Sequence, residues 1–349
     1  MHLLENQVIC ANIYTLKVLI IQTAFIGDVV LATPLVEKLK RFYPGAQIDF
    51  LLRKGNEKLL VHHPFLRKVL IWDKKRSKYK GLLEVMHQIR AEQYDLVVNC
   101  QRFGASGLLT ALSGARQTVG FDKNPFARLF SHRVAHRFGT TAQPIHEVSR
   151  NLALIEHWTD ASFEKPRLYP TQADHEKIRA LREKGPYACI APTSVWFTKQ
   201  YPPHKWLELI QTLPGDCQVF LLGGPHDTPA CADLLAAADR SNVKNLAGQL
   251  SFLESAALMQ GAVMNYVNDS APMHIASAMN APVTAVFCST VPTFGFTPLS
   301  DHHCVVQTRH PLDCRPCGLH GFRACPKGHF KCAETIEVRE FPVVDVSSL

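Results

Sequence analysis

The feature that most restricts the fold is an alternation of short apolar runs with helical stretches, which goes round twice. Lys17-Val18-Leu19-Ile20-Ile21-Gln22 is apolar except at its ends, the pattern of a parallel strand covered on both faces. A turn, Ala24–Asp28, follows. Val30, Leu31, Leu35 and Leu39 then keep near-helical spacing over Val29 to Phe42, with Pro34 in the early turns where proline is tolerated. Further strands are expected at Gln47–Leu52, Lys68–Ile71, Asp95–Asn99 and Gln117–Phe121, and helices at Tyr79–Ala91, Gly104–Leu112 and His146–His157. Thr159–Pro186 is a polar stretch punctuated by Pro166, Pro170, Gly185 and Pro186, as at a boundary. The pattern then restarts. Tyr187–Pro192, Cys217–Leu222, Ala262–Asn268 and Val283–Phe287 read as strands; Pro203–Leu213, Thr228–Ala238, Phe252–Met259 and Ser270–Met279 read as helices. Such alternation implies an α/β fold of parallel sheets with right-handed crossovers. Two consecutive Rossmann-like halves are expected, residues 1–165 and 166–349, with ligands in the cleft between them.

Composition agrees with this. The 349 residues suit about two domains, and a chain 46% hydrophobic buries enough surface to exclude disorder as the main theme. No apolar stretch reaches the about 18 residues that span a bilayer. Met1–Asn6 lacks the features of a secretory signal, and seven of the eleven cysteines are scattered through strands and helices. Both point to reduced thiols and a cytoplasmic protein. The net charge of +8, from 38 basic and 30 acidic residues, favours an anionic partner. With no motif that reads RNA or DNA, nucleic acid is not the expected partner.

Three loops carry candidate chemistry. Gly27-Asp28 follows the first strand and is neither G-x-G-x-x-G nor a P-loop. Asp28 is an ordinary helix cap or a general base, its carboxylate kept ionised by the helix dipole. Ala191 to Pro202 follows the first strand of the second half. There Thr193 and Ser194 can hydrogen-bond phosphate, and Lys199 can neutralise a departing diphosphate. Asn268-Asp269-Ser270-Ala271-Pro272-Met273-His274 runs from a strand into a helix whose first turn offers N–H groups to an anion. Asp269 is placed to reach a ribose or sugar hydroxyl, and His274 shares a helical face with Ser270.

Together these loops resemble a known family. Phe25-Ile26-Gly27-Asp28-Val29-Val30-Leu31-Ala32-Thr33-Pro34 is similar to the N-terminal signature of the ADP-heptose:lipopolysaccharide heptosyltransferases, glycosyltransferase family 9. Asn268–His274, with Ala276, Ala278, Pro282 and Val283 after it, resembles that family's C-terminal signature, although Ala271 stands where the family often has glycine. The resemblance runs from about Leu16 to Ile336; residues 1–15 match nothing comparable. It implies a GT-B fold, in which the C-terminal domain holds an ADP-heptose-like donor and the N-terminal domain holds the lipopolysaccharide inner core. Transfer would invert the anomeric centre without a metal or other cofactor. Asp28 would be the base, while Lys199 and the N–H groups of Ser270–Met273 would stabilise departing ADP. Two other classes remain open: a GT-B nucleotide-sugar epimerase, and a zinc-stabilised binding protein without enzymatic activity.

The remaining constellations are less specific. Arg102, in Asn99–Ser106, is suited to an acceptor carboxylate or phosphate. Lys54, His146 and Arg150 are expected on the same acceptor side, or else as surface charges and caps. The run Lys74-Lys75-Arg76-Ser77-Lys78-Tyr79-Lys80 is a solvated loop or a contact with an anionic membrane face. Cys314, Cys317, Cys325 and Cys332 form C-x2-C-x7-C-x6-C with His320 and His329 among them. Structural zinc, free packed thiols and disulfides all remain open readings.

Overall fold

The computed structural model describes residues 15–74, 78–140, 142–183 and 185–342. The first sheet contains β1 (Lys17–Ile21), β2 (Gln47–Arg53), β3 (Leu66–Trp72), β4 (Leu96–Asn99), β5 (Gln117–Phe121) and β6 (His132–Val134). All are parallel, in the spatial order β3-β2-β1-β4-β5-β6. The second contains β7 (Tyr187–Ala191), β8 (Gln218–Leu221), β9 (Val243–Asn245), β10 (Met264–Asn268), β11 (Val283–Phe287) and β12 (His303–Gln307). Its parallel order β9-β8-β7-β10-β11-β12 repeats the same permutation. Strand order therefore reverses between β1 and β4 and again between β7 and β10. A crevice opens beyond the carboxyl ends of the strands at such a reversal. Every residue of β7 and β11 is buried, as is every residue of β1 after Lys17, which explains their uninterrupted apolar sequence.

The helices are α1 (Ile26–Val30), α2 (Thr33–Phe42), α3 (Lys78–Glu92), α4 (Gly104–Ala111), α5 (Glu147–Ala153), α6 (Gln172–Arg182), α7 (Pro203–Thr212), α8 (Thr228–Ala238), α9 (Phe252–Gln260), α10 (Ala271–Ala278) and α11 (Lys331–Glu334). The single helix expected over Val29–Phe42 is two. Pro34 has no N–H to continue α1, so it starts α2 instead, and the Thr33 hydroxyl donates to the Val30 carbonyl at 2.7 Å. The helix expected over His146–His157 stops at Ala153 and resumes as a short 3-10 turn, Glu156–Trp158.

Thr159–Pro186 contains a helix, α6, that its polar sequence hides. Thr171 and Asp174 cap it reciprocally, and Ile178 is its buried residue, so apolar periodicity is almost absent. The helix packs on α9. Before it, the chain is strapped to α2. The buried Lys38 ammonium donates to the carbonyls of Asp160 and Ser162 at 2.6 Å each, and Tyr169 donates to Glu37 at 2.8 Å. Strands β6, β9 and β12 were also not anticipated. All three lie at sheet edges, where residues are partly exposed and the apolar pattern fades.

The two halves share packed surface. One apolar cluster includes Val29 and Val30 of α1 together with Met273, Ile275 and Ala276 of α10. Ala333, Ile336, Val338 and Phe341, near the C-terminus, complete a second core under β7 and β8. Among the described residues, no helix is long and apolar enough to cross a membrane.

Candidate active site in the cleft between the sheets

The loops after β1 and β2 meet those after β7 and β10 around a cleft of about 280 Å³. Its position depends on one close approach. A Cβ on Gly27 would lie 2.7 Å from Cδ2 of His274, so α1 and α10 can come this close only because Gly27 has no side chain. His274 is buried, and its Nδ1 has no hydrogen-bond partner. Burial pushes its imidazole down to about 3, so the ring is neutral.

Asp28 lines the cleft from the first half. Its Oδ2 accepts the Phe25 N–H at 3.0 Å, so it also caps α1. Its carboxyl is not held down by the helix dipole as expected but lies above its ordinary value. Enclosure by the cleft walls, with Glu147 as the second cause, pushes the carboxyl up to about 6 from 3.8; the Phe25 and Asp28 N–H groups and Arg53 pull the other way. The group is still largely ionised at neutral pH and is a better proton acceptor than an ordinary aspartate.

Opposite it, Lys199 and Asp269 form an ion pair at 2.8 Å, and the Thr290 hydroxyl donates to the same carboxylate oxygen at 2.6 Å. Asn268, which the sequence reading left without a role, organises this side. Its Oδ1 accepts the Tyr201 N–H at 2.8 Å and its Nδ2 donates to the carbonyls of Pro192 and Thr193 at 2.9 and 3.3 Å. Thr193 is thus held through its backbone, outside the cleft lining, whereas Ser194 and Trp196 line it. In the first turn of α10, Ser270 and Ala271 line the cleft. The expected row of N–H donors over Ser270–Met273 is shorter than supposed. Pro272 has no N–H, and Met273 donates to the Ser270 carbonyl at 3.1 Å while its side chain sits in the core. Of this row, Ser270 and Ala271 are the residues that line the cleft with an N–H.

The four basic residues expected on the acceptor side separate. Arg150 is buried and spent on a junction between the halves: it donates to Glu147 at 2.7 Å and to the Phe294 carbonyl at 3.0 Å. His146 caps α5 through Nδ1, accepting the Val148 N–H at 3.1 Å, so Nε2 carries the proton and donates to the Thr297 carbonyl at 3.0 Å. Lys54 pairs with Asp73 at 2.8 Å, away from the cleft. Arg102 lies over the Phe138 ring at 5.7 Å, and its charge reaches His320, whose pKa burial, Lys199 and Arg102 all lower. Arg53, Phe25 and His320 line the cleft and were missed. Arg53 could have been found as the last residue of β2, at the end where ligands sit; His320 could not, because its placement depends on how the cysteine-rich segment folds back.

Cys314, Cys317, Cys325 and Cys332 line one cavity of about 150 Å³ with His329. Cys314 Sγ lies 3.9 Å from His329 Nε2. All ten described cysteines are free. Among the described residues, no three His, Cys, Asp or Glu side chains are arranged to hold a metal ion. The segment is tied to the cleft. Thr198 exchanges backbone and hydroxyl hydrogen bonds with Phe322, and Gly321 packs on the Lys199 side chain. In the basic run, Lys74 donates to the carbonyl and hydroxyl of Thr23 at 3.0 and 2.9 Å. Lys75, Arg76 and Ser77 lie outside the described residues.

Residues 82–319 match the family described as glycosyltransferase family 9 (heptosyltransferase). Lipopolysaccharide heptosyltransferase 3 of Escherichia coli K12 is 30% identical over 315 residues, 82% of this chain and 89% of that protein. Lipopolysaccharide heptosyltransferase 1 of Pseudomonas aeruginosa is 25% identical over 80% of each. Among solved structures, E. coli ADP-heptose LPS heptosyltransferase II superposes with a TM-score of 0.72 at 21% identity, over 86% of this chain and 95% of that one. A glycosyltransferase family 9 structure from Veillonella parvula superposes at 0.79 and 19% identity, over 93% and 94%. The expected GT-B fold is therefore the fold of this chain.

Gly27→Ala drives a methyl group into His274. It is expected to destabilise the protein by about 1–3 kcal/mol, read as a lowered urea midpoint, and to widen the cleft.

Proposed function

This chain belongs to glycosyltransferase family 9, the heptosyltransferases, and on that premise we propose that it adds a heptose to the lipopolysaccharide core, drawing it from an ADP-sugar. The observation that carries this reading is that Asp28 and the Lys199–Asp269 pair line one cleft from opposite halves of the molecule. A carboxylate that accepts protons near neutral pH and a cation able to meet a diphosphate are what such a transfer requires.

In the proposed reaction the acceptor hydroxyl oxygen attacks the anomeric carbon and its proton passes to Asp28. The bond from that carbon to the diphosphate oxygen breaks, and ADP leaves with the electron pair. Attack opposite the leaving group inverts the anomeric centre. Lys199, held in place by Asp269, and the N–H groups of Ser270 and Ala271 take up the charge of the departing diphosphate, so the scheme needs no metal. His274 lines the same wall of the cleft. This reading gives the second half to the donor and the first to the inner-core acceptor. A net charge of +8 supports work against an anionic membrane face from the cytoplasm.

The direct test is transfer from ADP-heptose to a lipopolysaccharide inner-core acceptor, beside thermal shifts with ADP-, UDP-, GDP- and CMP-linked sugars. Transfer with ADP-heptose and the largest shift with the ADP-sugar are expected; turnover of donor without an acceptor would favour an epimerase instead.

Asp28→Asn, which keeps an oxygen for the Phe25 N–H, should lower kcat about 10²–10⁴-fold while the ADP-induced shift persists. In the unaltered protein kcat/KM should fall below an apparent pKa of about 6, since the carboxylate is the active form. Lys199→Ala should reduce kcat about 10²-fold or more; unchanged turnover would remove it from the reaction. Treatment with EDTA should leave the rate as it was, and a loss restored by added metal would refute the metal-independent scheme.

A further inference from the structure

Most of the cations considered for the site are already matched. Lys199 has Asp269, Arg150 has Glu147 and Lys54 has Asp73. Arg53 is different. It ends β2, lines the cleft beside Asp28, and makes no ion pair with any described residue. Its guanidinium lies 4.8 Å from the centre of the Phe25 ring. This cation–π contact engages none of its N–H donors in a hydrogen bond to a described residue, so the forked donors are left for a planar anion.

Arg53 is also held at a defined place relative to Asp28. Phe25 supplies the ring under Arg53 and the N–H that Asp28 accepts. The loops that carry them are tied together: Asn56 Nδ2 donates to the Ala24 carbonyl at 3.1 Å. An anion on Arg53 would therefore fix the position of whatever carries it against Asp28.

We propose that Arg53 is the specificity-determining residue for the acceptor: it binds a carboxylate or phosphate on the acceptor sugar through paired N–H donors and so selects which hydroxyl reaches Asp28. This rests on the heptosyl-transfer reading above and adds to it the acceptor's recognition element. The electrostatics agree, since Arg53 is one of the charges that hold Asp28 toward its ionised form. An anion seated on Arg53 cancels that pull, so the base strengthens as the acceptor binds.

The test compares the unaltered protein, Arg53→Lys and Arg53→Ala on three inner-core acceptors: intact, phosphatase-treated, and with carboxylates reduced to alcohols. On the intact acceptor, Arg53→Ala is expected to raise acceptor KM about 10–100-fold, with Arg53→Lys between and the ADP-induced thermal shift unchanged in both. The modified acceptor on which the unaltered and Arg53→Ala proteins become equal identifies the anion. An unchanged acceptor KM, a KM ratio that is the same on all three acceptors, or a reduced ADP shift would each overturn the inference. Absence of heptosyl transfer by the unaltered protein overturns the functional reading and this inference with it; transfer with undiminished acceptor affinity in Arg53→Ala overturns the inference alone.

Discussion

The site depends on the contact between α1 and α10. Each helix begins at the carboxyl edge of its own sheet, next to the strand where the order reverses. On its own, each half has one side of a crevice. The absence of a side chain at Gly27 lets α1 settle against His274, and the apolar residues behind both helices merge into one core. Side chains separated by about half the chain length then share one cleft. A methyl group at this contact would separate them, which is why a glycine is required where no turn demands one.

Around that contact the charges are arranged unequally. The second half carries a matched pair, Lys199 with Asp269, buttressed by Thr290. The first half carries Asp28, enclosed enough to make it a stronger base, and Arg53, which has no carboxylate partner among the described residues. Two of the basic residues expected on the acceptor side are held elsewhere. Arg150 and His146 join the halves through carbonyls at Phe294 and Thr297. They act as struts on the side of the cleft where Glu147 also raises the Asp28 pKa. The geometry of the junction and the basicity of Asp28 are thus linked through one short helix, α5.

The cysteine-rich segment contributes to the cleft through its position. Its thiols share a cavity, while the residues between Cys317 and Cys325 fold back on Thr198 and Lys199 and bring His320 to the cleft. A region that reads in sequence as a separate small motif is in the fold part of the cleft wall.

The central strands and the two loop motifs were legible in the sequence because burial on both faces leaves only apolar residues at β1, β7 and β11, and because a strand running into Gly27-Asp28 or Asn268–His274 places those residues at a carboxyl edge. The edge strands and α6 were not, since their burial is slight and their pattern correspondingly faint. Sequence alone therefore determined two Rossmann-type sheets and the residues at their open edges. It could not determine which of the neighbours Arg53 and Lys54 turns into the cleft, that Lys199 and Asp269 neutralise one another, or that His146 and Arg150 bind the halves together. Those depend on side-chain direction and on contacts between distant segments, which have no periodic signature and are decided only when the two sheets pack.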